Sequence, residues 1–331
     1  MKKKTVTALI DLDPMVYAAG FVAEEHHYIL NWVDVPADHS ADIEHFARFQ
    51  SAWRRDAFLE WAALDPDEYV SHMHVIPLPL DHALHVIRDW MERTRLACEG
   101  FVAEHGLELG GVQGYLTGKS NFRNQVATIK PYKGNRDPSK RPYWYAEIRS
   151  YLVSRHGAVV THGYEADDAI AMRQWKEDPE DPATIVCTID KDLKMVPGLH
   201  YNYGKMTARH VGWNEALLCF WRQVLTGDAS DNIPGLWKVG EAGAAKMLPE
   251  YTHEADMYAK VLKAYEVNMA KYPEKHAPHT SPVACLTENA RLLWMMSHED
   301  DLWSPPNAVG AQTMTEFLAA QDPTDPDGDW L

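Results

Sequence analysis

The chain has 331 residues, of which 46% are hydrophobic and 24% are charged, and this composition excludes a disordered or low-complexity protein. No apolar run is long enough to cross a bilayer, and the four cysteines form no CxxC pair, so we expect a protein of the reducing cytoplasm with no membrane partner. The net charge of −16 argues against nucleic acid as a partner. Residues 119–155 nevertheless hold nine basic and only two acidic side chains. On charge alone, a solvated face explains that segment equally well.

Short apolar runs alternate with helical patterns through the first 212 residues. Strands are predicted at 6–10, 110–118, 158–163, 183–189 and 201–203, and helices at 80–102, at 142–154 and from about residue 165. The alternation predicts an α/β fold with a mostly parallel central sheet flanked by helices. We expect this core to span 1–212 with a helical insertion at about 24–105, then helices over 213–298 and a partly disordered acidic tail over 299–331.

Acidic residues follow three of the predicted strands, at Asp11, in the EADD run at 165–168 and in the DKD run at 190–192. Because the carboxyl ends of parallel strands meet at one edge of a sheet, these side chains should converge on one crevice. Each acid taken alone is also explained by helix capping or turn formation. Carboxylates in one cleft raise one another's pKa, however, and Mg²⁺ or Mn²⁺ with oxygen ligands would relieve that conflict. Two such ions could hold the attacking and leaving oxygens of a phosphodiester.

These motifs resemble those of the 5′-nuclease superfamily, which includes bacteriophage 5′→3′ exonucleases, flap endonucleases and the 5′-nuclease domain of bacterial DNA polymerase I. The matching segments, in the family's order, are LIDLDPMVY (9–17), FRNQVATIKPYKGNRD (122–137), GYEADDAIA (163–171), TIDKDL (188–193) and LTGDASDNIPGLWKVGEAGAAKML (225–248). The resemblance implies a PIN-like core followed by a helix–three-turn–helix DNA-binding region. It also implies a metal-dependent 5′→3′ nuclease acting on DNA with a 5′ end, flap or nick, in phage or bacterial replication or recombination. No specific protein partner can be inferred.

The resemblance also implies roles for individual residues. Two Mg²⁺ or Mn²⁺ ions would be bound by eight carboxylates: Asp11, Glu165, Asp167, Asp168, Asp190, Asp192, Asp228 and Asp231. Catalysis would involve Asp11, Asp168 and Asp190 together with Lys133, which would neutralise the scissile phosphate, and Arg136, a second cationic clamp. DNA contacts would come from Tyr17, Arg123, Lys130, Lys133, Arg136, Lys238, Gly240 and Lys246. The turn within 213–248 would hold duplex phosphates and, as often in the family, a potassium ion. Tyr17 would stack on a base, the alternative being a core aromatic.

The sequence departs from the family pattern in two places. Gly118 stands where the family usually has a metal-binding Asp, and Asp13 is a candidate substitute. The segment between Tyr132 and Glu147 is short for a helical arch that threads single strands, so recessed or blunt duplex ends should be digested at least as well as long flaps. Two alternatives remain open: a primer-removing nuclease for RNA–DNA hybrids, and a structure-specific DNA-binding protein with weakened catalysis.

Overall fold

The computed structural model describes residues 3–32, 47–63, 65, 69–137, 140–306 and 311–321. Nine strands are described: β1 (Thr5–Asp11), β2 (Glu24–Trp32), β3 (Ala47–Phe49), β4 (Tyr69–Pro77), β5 (Glu108–Leu116), β6 (Val159–Val160), β7 (Thr184–Cys187), β8 (Gly198–Asn202) and β9 (Thr207–Val211). The described helices are α1 (Asp13–Val22), α2 (Ala52–Trp61), α3 (Leu80–Glu104), α4 (Arg123–Val126), α5 (Tyr145–His156), α6 (Ala166–Gln174), α7 (Trp213–Thr226), α8 (Glu241–Met247), α9 (Glu254–Lys271), α10 (Pro282–Leu293) and α11 (Met314–Gln321).

The chain divides into two compact units, which are described separately. The first comprises Met1–Pro14, Met91–Ser139 and Leu152–Leu331, and the second comprises Met15–Trp90 and Lys140–Tyr151. The predicted division into a core over 1–212 and a helical region over 213–298 remains a prediction.

The first unit contains a six-stranded sheet in the order β6-β5-β1-β7-β8-β9. All neighbours are parallel except β8 and β9, which pair as an antiparallel hairpin. The central strands are largely buried, with Ala8, Ile10, Ile185 and Val186 at 0% exposure. Burial on both faces is what a parallel sheet covered by helices requires, and it explains the continuous apolar runs in these strands. The predicted α/β fold with a mostly parallel sheet is therefore confirmed.

The parallel order of this sheet brings the acidic motifs to one edge. Asp11 is the last residue of β1, and the DKD run follows the end of β7 at Cys187. Glu165 is the N-cap of α6, which follows β6. Its side chain accepts from the backbone of residue 168, while the Asp168 side chain accepts from the Glu165 N–H, so each carboxylate satisfies an N–H group at the start of the helix.

The helices after residue 212 belong to the first unit and share one apolar core with strands β1 and β7 of its sheet. Phe220 and Trp221 of α7 and Tyr265 of α9 are fully buried in it. The Tyr265 hydroxyl donates to the Val224 carbonyl at 2.7 Å and accepts from the Asn289 amide at 2.8 Å. Of the tail expected over 299–331, residues 314–321 form α11, whereas 307–310 and 322–331 lie outside the described residues.

The second unit contains a three-stranded antiparallel sheet in the order β3-β2-β4. Strands β2 and β4 pair in register from Glu24 opposite Pro77 to Trp32 opposite Tyr69. The expectation of a helical insertion over 24–105 therefore missed these strands, although the long helix predicted at 80–102 is confirmed as α3. The mixed runs EEHHYILNW and YVSHMHVIP alternate only weakly, and their pairing across a long separation is invisible to local periodicity.

No helix within the described ranges is both long and apolar enough to traverse a lipid bilayer.

Candidate active site

Three acids from different elements lie close enough to repel one another at the carboxyl edge of the first unit's sheet. We call Asp11, Asp167 and Asp190 the crowded group. Asp11 is 3% exposed, and its Oδ2 atom accepts from the Thr188 hydroxyl at 3.0 Å. Burial raises the pKa of Asp11 well above its usual value, and repulsion from Asp13 and Asp190 raises it further.

Asp167 has the least satisfied side chain of the crowded group. Its Oδ1 atom is buried and has no hydrogen-bond partner. Burial raises the pKa of Asp167 well above its usual value, and repulsion from Asp11 and Asp190 acts in the same direction. An unpaired buried acceptor is costly, so this oxygen is suited to a cation.

Asp190 and Asp192 belong to one turn after β7. The Asp190 N–H donates to the Thr188 hydroxyl oxygen at 2.9 Å, and the Asp192 N–H donates to Asp190 Oδ1 at 2.8 Å. Burial raises the pKa of Asp190, with Asp231 and Asp228 adding repulsion. Burial, followed by repulsion from Asp190 and Asp228, raises the pKa of Asp192 to about 7. Thr188 therefore links the ends of β1 and β7, while the pKa of each of the acids Asp11, Asp190 and Asp192 stays raised.

A second set of acids in the same unit has cations of its own. We call Glu165 and Asp231, with Lys133, Arg136 and Tyr132, the paired group. Lys133 Nζ forms an ion pair with Glu165 and lies 3.7 Å from Asp231, while an Arg136 guanidinium nitrogen donates to Asp231 at 2.6 Å. The Tyr132 hydroxyl lies 3.0 Å from Glu165 Oε2 and 2.8 Å from Asp231 Oδ2, and can donate to either. Burial would raise the pKa of Glu165, but Lys133 and Arg123 lower it below its usual value.

One backbone and one side-chain hydrogen bond hold the loop that carries Lys133. Lys133 has φ +53°, in the left-handed region, and its N–H donates to the Asp231 carbonyl at 2.9 Å. The Asn135 amide donates to the Ala229 carbonyl at 2.8 Å, so the loop carrying Lys133 is bound to the turn that follows α7.

That turn begins at Gly227 and is built on two glycines in contact. Gly227 and Gly235 have φ +68° and +54°, and a Cβ on Gly235 would lie 2.3 Å from the Gly227 nitrogen, so neither position accepts a side chain. Asp228 pairs with Lys191 at 2.8 Å and accepts from the Ser230 N–H at 2.7 Å. Burial would raise the pKa of Asp228, but these two partners lower it.

The turn runs from the end of α7 at Thr226 to Gly240, which is the N-cap of α8. Lys238 has φ +64°, in the left-handed region that favours glycine, and it is exposed, as is Lys246.

The structure corrects two expectations. Arg123, expected to contact DNA, is 1% exposed and donates two hydrogen bonds to Asp168. Asp168, expected to bind metal, is 0% exposed, and besides Arg123 it accepts from the Glu165 N–H. A buried guanidinium group cannot contact a phosphate on a DNA backbone. A carboxylate whose two oxygens both accept hydrogen bonds is poorly placed to bind a cation. Sequence reasoning missed this pair because Arg123 lies in a basic segment that is typical of a solvated face.

Two other predicted site residues, Tyr17 and Lys130, are members of neither group. Tyr17 belongs to the second unit, where its ring contacts Tyr145 at 5.3 Å, so its base-stacking role stays a prediction. Lys130 is exposed.

The end of β5 carries no acid, and the structure explains why. A Cβ on Gly118 would lie 1.9 Å from the Thr161 carbonyl oxygen, so this position is closed to Asp. Asp13 reaches the same strand end from the start of α1, where its Oδ2 atom accepts from the Thr117 N–H at 2.9 Å.

The fit to divalent cations can be tested on the donors themselves. In the described part of the chain, no three or more His, Cys, Asp or Glu side chains already surround one point as metal ligands. Mg²⁺ keeps several of its waters and needs only one or two direct carboxylates, so such a cage is not required. The unpaired Asp167 oxygen and the raised pKa values of the crowded group therefore fit a hydrated divalent cation.

No family model matches the chain. Among solved structures, a bacteriophage T5 flap endonuclease in a complex with DNA and metal ions aligns at TM-score 0.43 and 16% identity, covering 68% of this chain and 83% of that one. A T5 5′-exonuclease with bound zinc aligns at TM-score 0.42 and 15% identity, covering 61% and 80%.

Two curated relatives match in sequence over part of the chain. The DNA polymerase I of Rhizobium leguminosarum is 30% identical over 128 residues, which are 35% of this chain and 12% of the relative. A 5′-3′ exonuclease of Buchnera aphidicola is 26% identical over 160 residues, which are 44% of this chain and 54% of the relative. The chain thus spans at most about half the length of these two relatives. Their similarity confirms the resemblance to the 5′-nuclease superfamily that the motifs predict.

Proposed function

We propose that the protein is a metal-dependent 5′→3′ nuclease that hydrolyses phosphodiester bonds of DNA at 5′ ends or branched junctions, in replication or recombination. The observation that carries the proposal is the unpaired, buried Oδ1 atom of Asp167 within the crowded group. Acids that repel one another in a protein interior are costly unless a cation neutralises them. The cations of the paired group lie beside them and offer charges for a phosphate.

Two divalent ions, Mg²⁺ or Mn²⁺, would be held by the crowded group and by acids next to it, of which Asp228 and Asp231 now pair with Lys191 and Arg136. Asp11, Asp167 and Asp190 would hold one ion, with Asp13 supplying the carboxylate that the end of β5 lacks. Asp192, Asp228 and Asp231 would hold the other together with Asp190. When bound, such ions would lower the pKa of a coordinated water, which supplies hydroxide as the nucleophile. They would also stabilise the negative charge on the leaving oxygen.

The cationic side chains would position the phosphate. Lys133 and Arg136 now pair with Glu165 and Asp231, and both remain partly exposed, at 25% and 56% of their side-chain surface. A phosphate would compete with these acids for the two cations and place the charge of Lys133 where negative charge develops. During that exchange the Tyr132 hydroxyl would donate its one proton to either Glu165 or Asp231.

The turn between α7 and α8 would hold duplex DNA as a helix–three-turn–helix module. Its exposed residues Lys238, Gly240 and Lys246 offer two charges and a backbone that can approach phosphates without reading sequence. The potassium ion that relatives often bind in this turn stays an expectation.

Turnover of 5′-labelled substrates tests the proposal. Blunt and 5′-recessed duplexes, a long 5′ flap and an RNA–DNA hybrid would be incubated with Mg²⁺ and with EDTA. We expect cleavage of both duplexes at least as fast as of the flap, and none in EDTA. Asp190→Asn should abolish cleavage, while Asp256→Asn, on the exposed side of α9, should not.

The same assay separates the alternatives. Cleavage confined to the hybrid would favour a primer-removing enzyme. DNA binding without cleavage of any substrate would favour the DNA-binding protein.

A further inference from the structure

Lysines and aromatic rings form a surface at the C-terminal end of α9, beside the turn that follows α7. The ammonium groups of Lys271 and Lys238 lie 5.3 and 6.0 Å from the centre of the Tyr272 ring, and that of Lys275 lies 4.5 Å from the Trp237 ring. Trp237 remains 42% exposed. We call these five residues the lysine–aromatic surface.

The charge of this surface is not neutralised within the described residues, where none of its three lysines forms an ion pair with a carboxylate. Lys263, two helical turns earlier on α9, does form one, with Glu266 at 2.8 Å. The nearest acid in sequence is Glu274, which lines a hollow shared with Trp237 and Lys275. Three unpaired cations are thus gathered on one surface of a chain whose net charge is −16.

Two hydrogen bonds hold the backbone of Trp237. The Asn268 side chain accepts from the Trp237 backbone N–H at 3.1 Å and donates to the Trp237 carbonyl at 3.0 Å. His276 Nε2 lies 2.8 Å from the same Asn268 oxygen and can donate to it. These hydrogen bonds hold the backbone from which the Trp237 ring, 42% exposed, reaches the surface.

A hollow of about 310 Å³ extends this surface towards the loop that carries Lys133. Its lining includes Lys130, Gly235, Trp237 and Lys275. The hollow thus adjoins the turn at Gly235 and adds the exposed Lys130 to the cations around Trp237.

We propose that the lysine–aromatic surface is a second contact for the phosphate backbone of duplex DNA, continuous with the turn through Lys238. Unpaired lysines bind phosphates by displacing counterions, whatever the base sequence. A single strand would hold bases on aromatic rings, but here ammonium groups already lie over both rings, whereas a phosphate can contact those groups where they stand. The inference rests on the proposed function and extends it beyond the turn.

Binding measured in EDTA tests the surface without catalysis. Fluorescence anisotropy would give Kd for a 5′-recessed duplex and for a single strand at several KCl concentrations. For Lys271→Ala/Lys275→Ala we expect duplex affinity to fall about tenfold and the slope of log Kd against log salt to lose about two counterions. The control Lys3→Ala/Lys176→Ala removes the same charge from exposed positions elsewhere in the first unit and should change both much less. Trp237→Ala should weaken duplex binding, and Trp237→Phe should restore most of it. Thermal melts would verify that every variant is folded.

Each outcome decides between the claims. Wild-type duplex affinity and salt slope in the Lys271/Lys275 variant would overturn the surface, as would a loss seen only with the single strand. If the wild type binds duplex through these lysines but cleaves nothing in Mg²⁺, the surface stands and the proposed nuclease activity falls. If the wild type binds no DNA, both fall.

Discussion

The crowded group and the paired group contain the same kind of side chain in opposite electrostatic states. In the paired group, Lys133 lowers the pKa of Glu165, and Arg136 and Tyr132 hydrogen-bond to Asp231. In the crowded group, burial and repulsion from neighbouring acids raise the pKa of all three members, and one Asp167 oxygen has no hydrogen-bond partner. Lysine and arginine side chains thus neutralise the paired group, whereas within the described residues no such side chain forms an ion pair with the crowded group. Five substitutions test this difference between the two groups.

The largest effect is expected from Asp190→Asn. The neutral amide should lower the cleavage rate in Mg²⁺ by at least about a thousandfold, because several kcal/mol of charge stabilisation would be lost. Without metal the variant should be at least as stable as wild type, because a repelling charge is gone. Single-turnover cleavage and a urea melt in EDTA measure both effects. Near-wild-type cleavage would remove the two-metal mechanism.

Asp168→Asn should behave differently although its position neighbours Asp167. Removing the partner of a buried guanidinium costs about 3–5 kcal/mol, so Arg123 would be left uncompensated and the free energy of unfolding should drop by that amount. Urea denaturation beside Asp190→Asn gives the comparison. Equal stability of the two variants would contradict the structural role given to Asp168.

Lys133→Ala should lower the rate of chemistry by about a hundredfold while changing duplex affinity little, because its charge is most valuable where phosphate charge develops. The matched control is Lys130→Ala, three residues earlier and exposed, which should weaken binding and leave single-turnover chemistry intact. If both variants changed affinity alone, the catalytic assignment of Lys133 would be withdrawn.

Asp13→Asn should weaken Mn²⁺ binding about tenfold, the range seen when a supporting metal ligand is lost. Electron paramagnetic resonance of free Mn²⁺ reads this without any DNA, and Asp256→Asn serves as the control. Unchanged Mn²⁺ affinity would mean that the end of β5 contributes no ligand.

The smallest effect concerns pH in the absence of metal. The pKa of Asp192 is raised to about 7, against about 3.9 in an unfolded chain. The folded protein therefore keeps a proton that the unfolded chain has lost, so this acid's contribution to stability falls as pH rises from about 4 to 7. His200 opposes it, because burial lowers its pKa to about 4, and so the difference between variants is the informative quantity. Asp192→Asn should gain melting temperature relative to wild type between pH 5 and 8, and Mg²⁺ should reduce that gain. If the difference in melting temperature between Asp192→Asn and wild type did not change with pH, the raised pKa of Asp192 would be contradicted.

The sequence predicted the parallel sheet and the acids at its edge because both follow from local patterns. Buried strands such as β1 and β7 are continuous apolar runs, and the acids come at fixed short distances after them. Residues that depend on distant partners were beyond that reasoning. Arg123 looked like a surface cation because its counterion, Asp168, lies 45 residues away, and Tyr132 carried no signal except its place beside Lys133.

The antiparallel strands β2 and β4 were missed for the same reason. Their pairing partners are separated by 36 or more residues, so neither run shows alone what the other satisfies. The unpaired oxygen of Asp167 is likewise a property of packing that no spacing of acids could have revealed.

Arg123 has a consequence for how the chain can be divided. Besides Asp168, its guanidinium donates to the Leu292 and Trp294 carbonyls at 2.8 and 2.9 Å, both at the end of α10. A fragment cut at residue 212 or 250 would lose two of the acceptors that hold this buried charge. The acid-bearing start of α6 and the last helices are therefore fastened through one side chain. Residues 1–250 expressed alone should give insoluble protein, whereas co-expression with the missing C-terminal piece should restore a soluble complex.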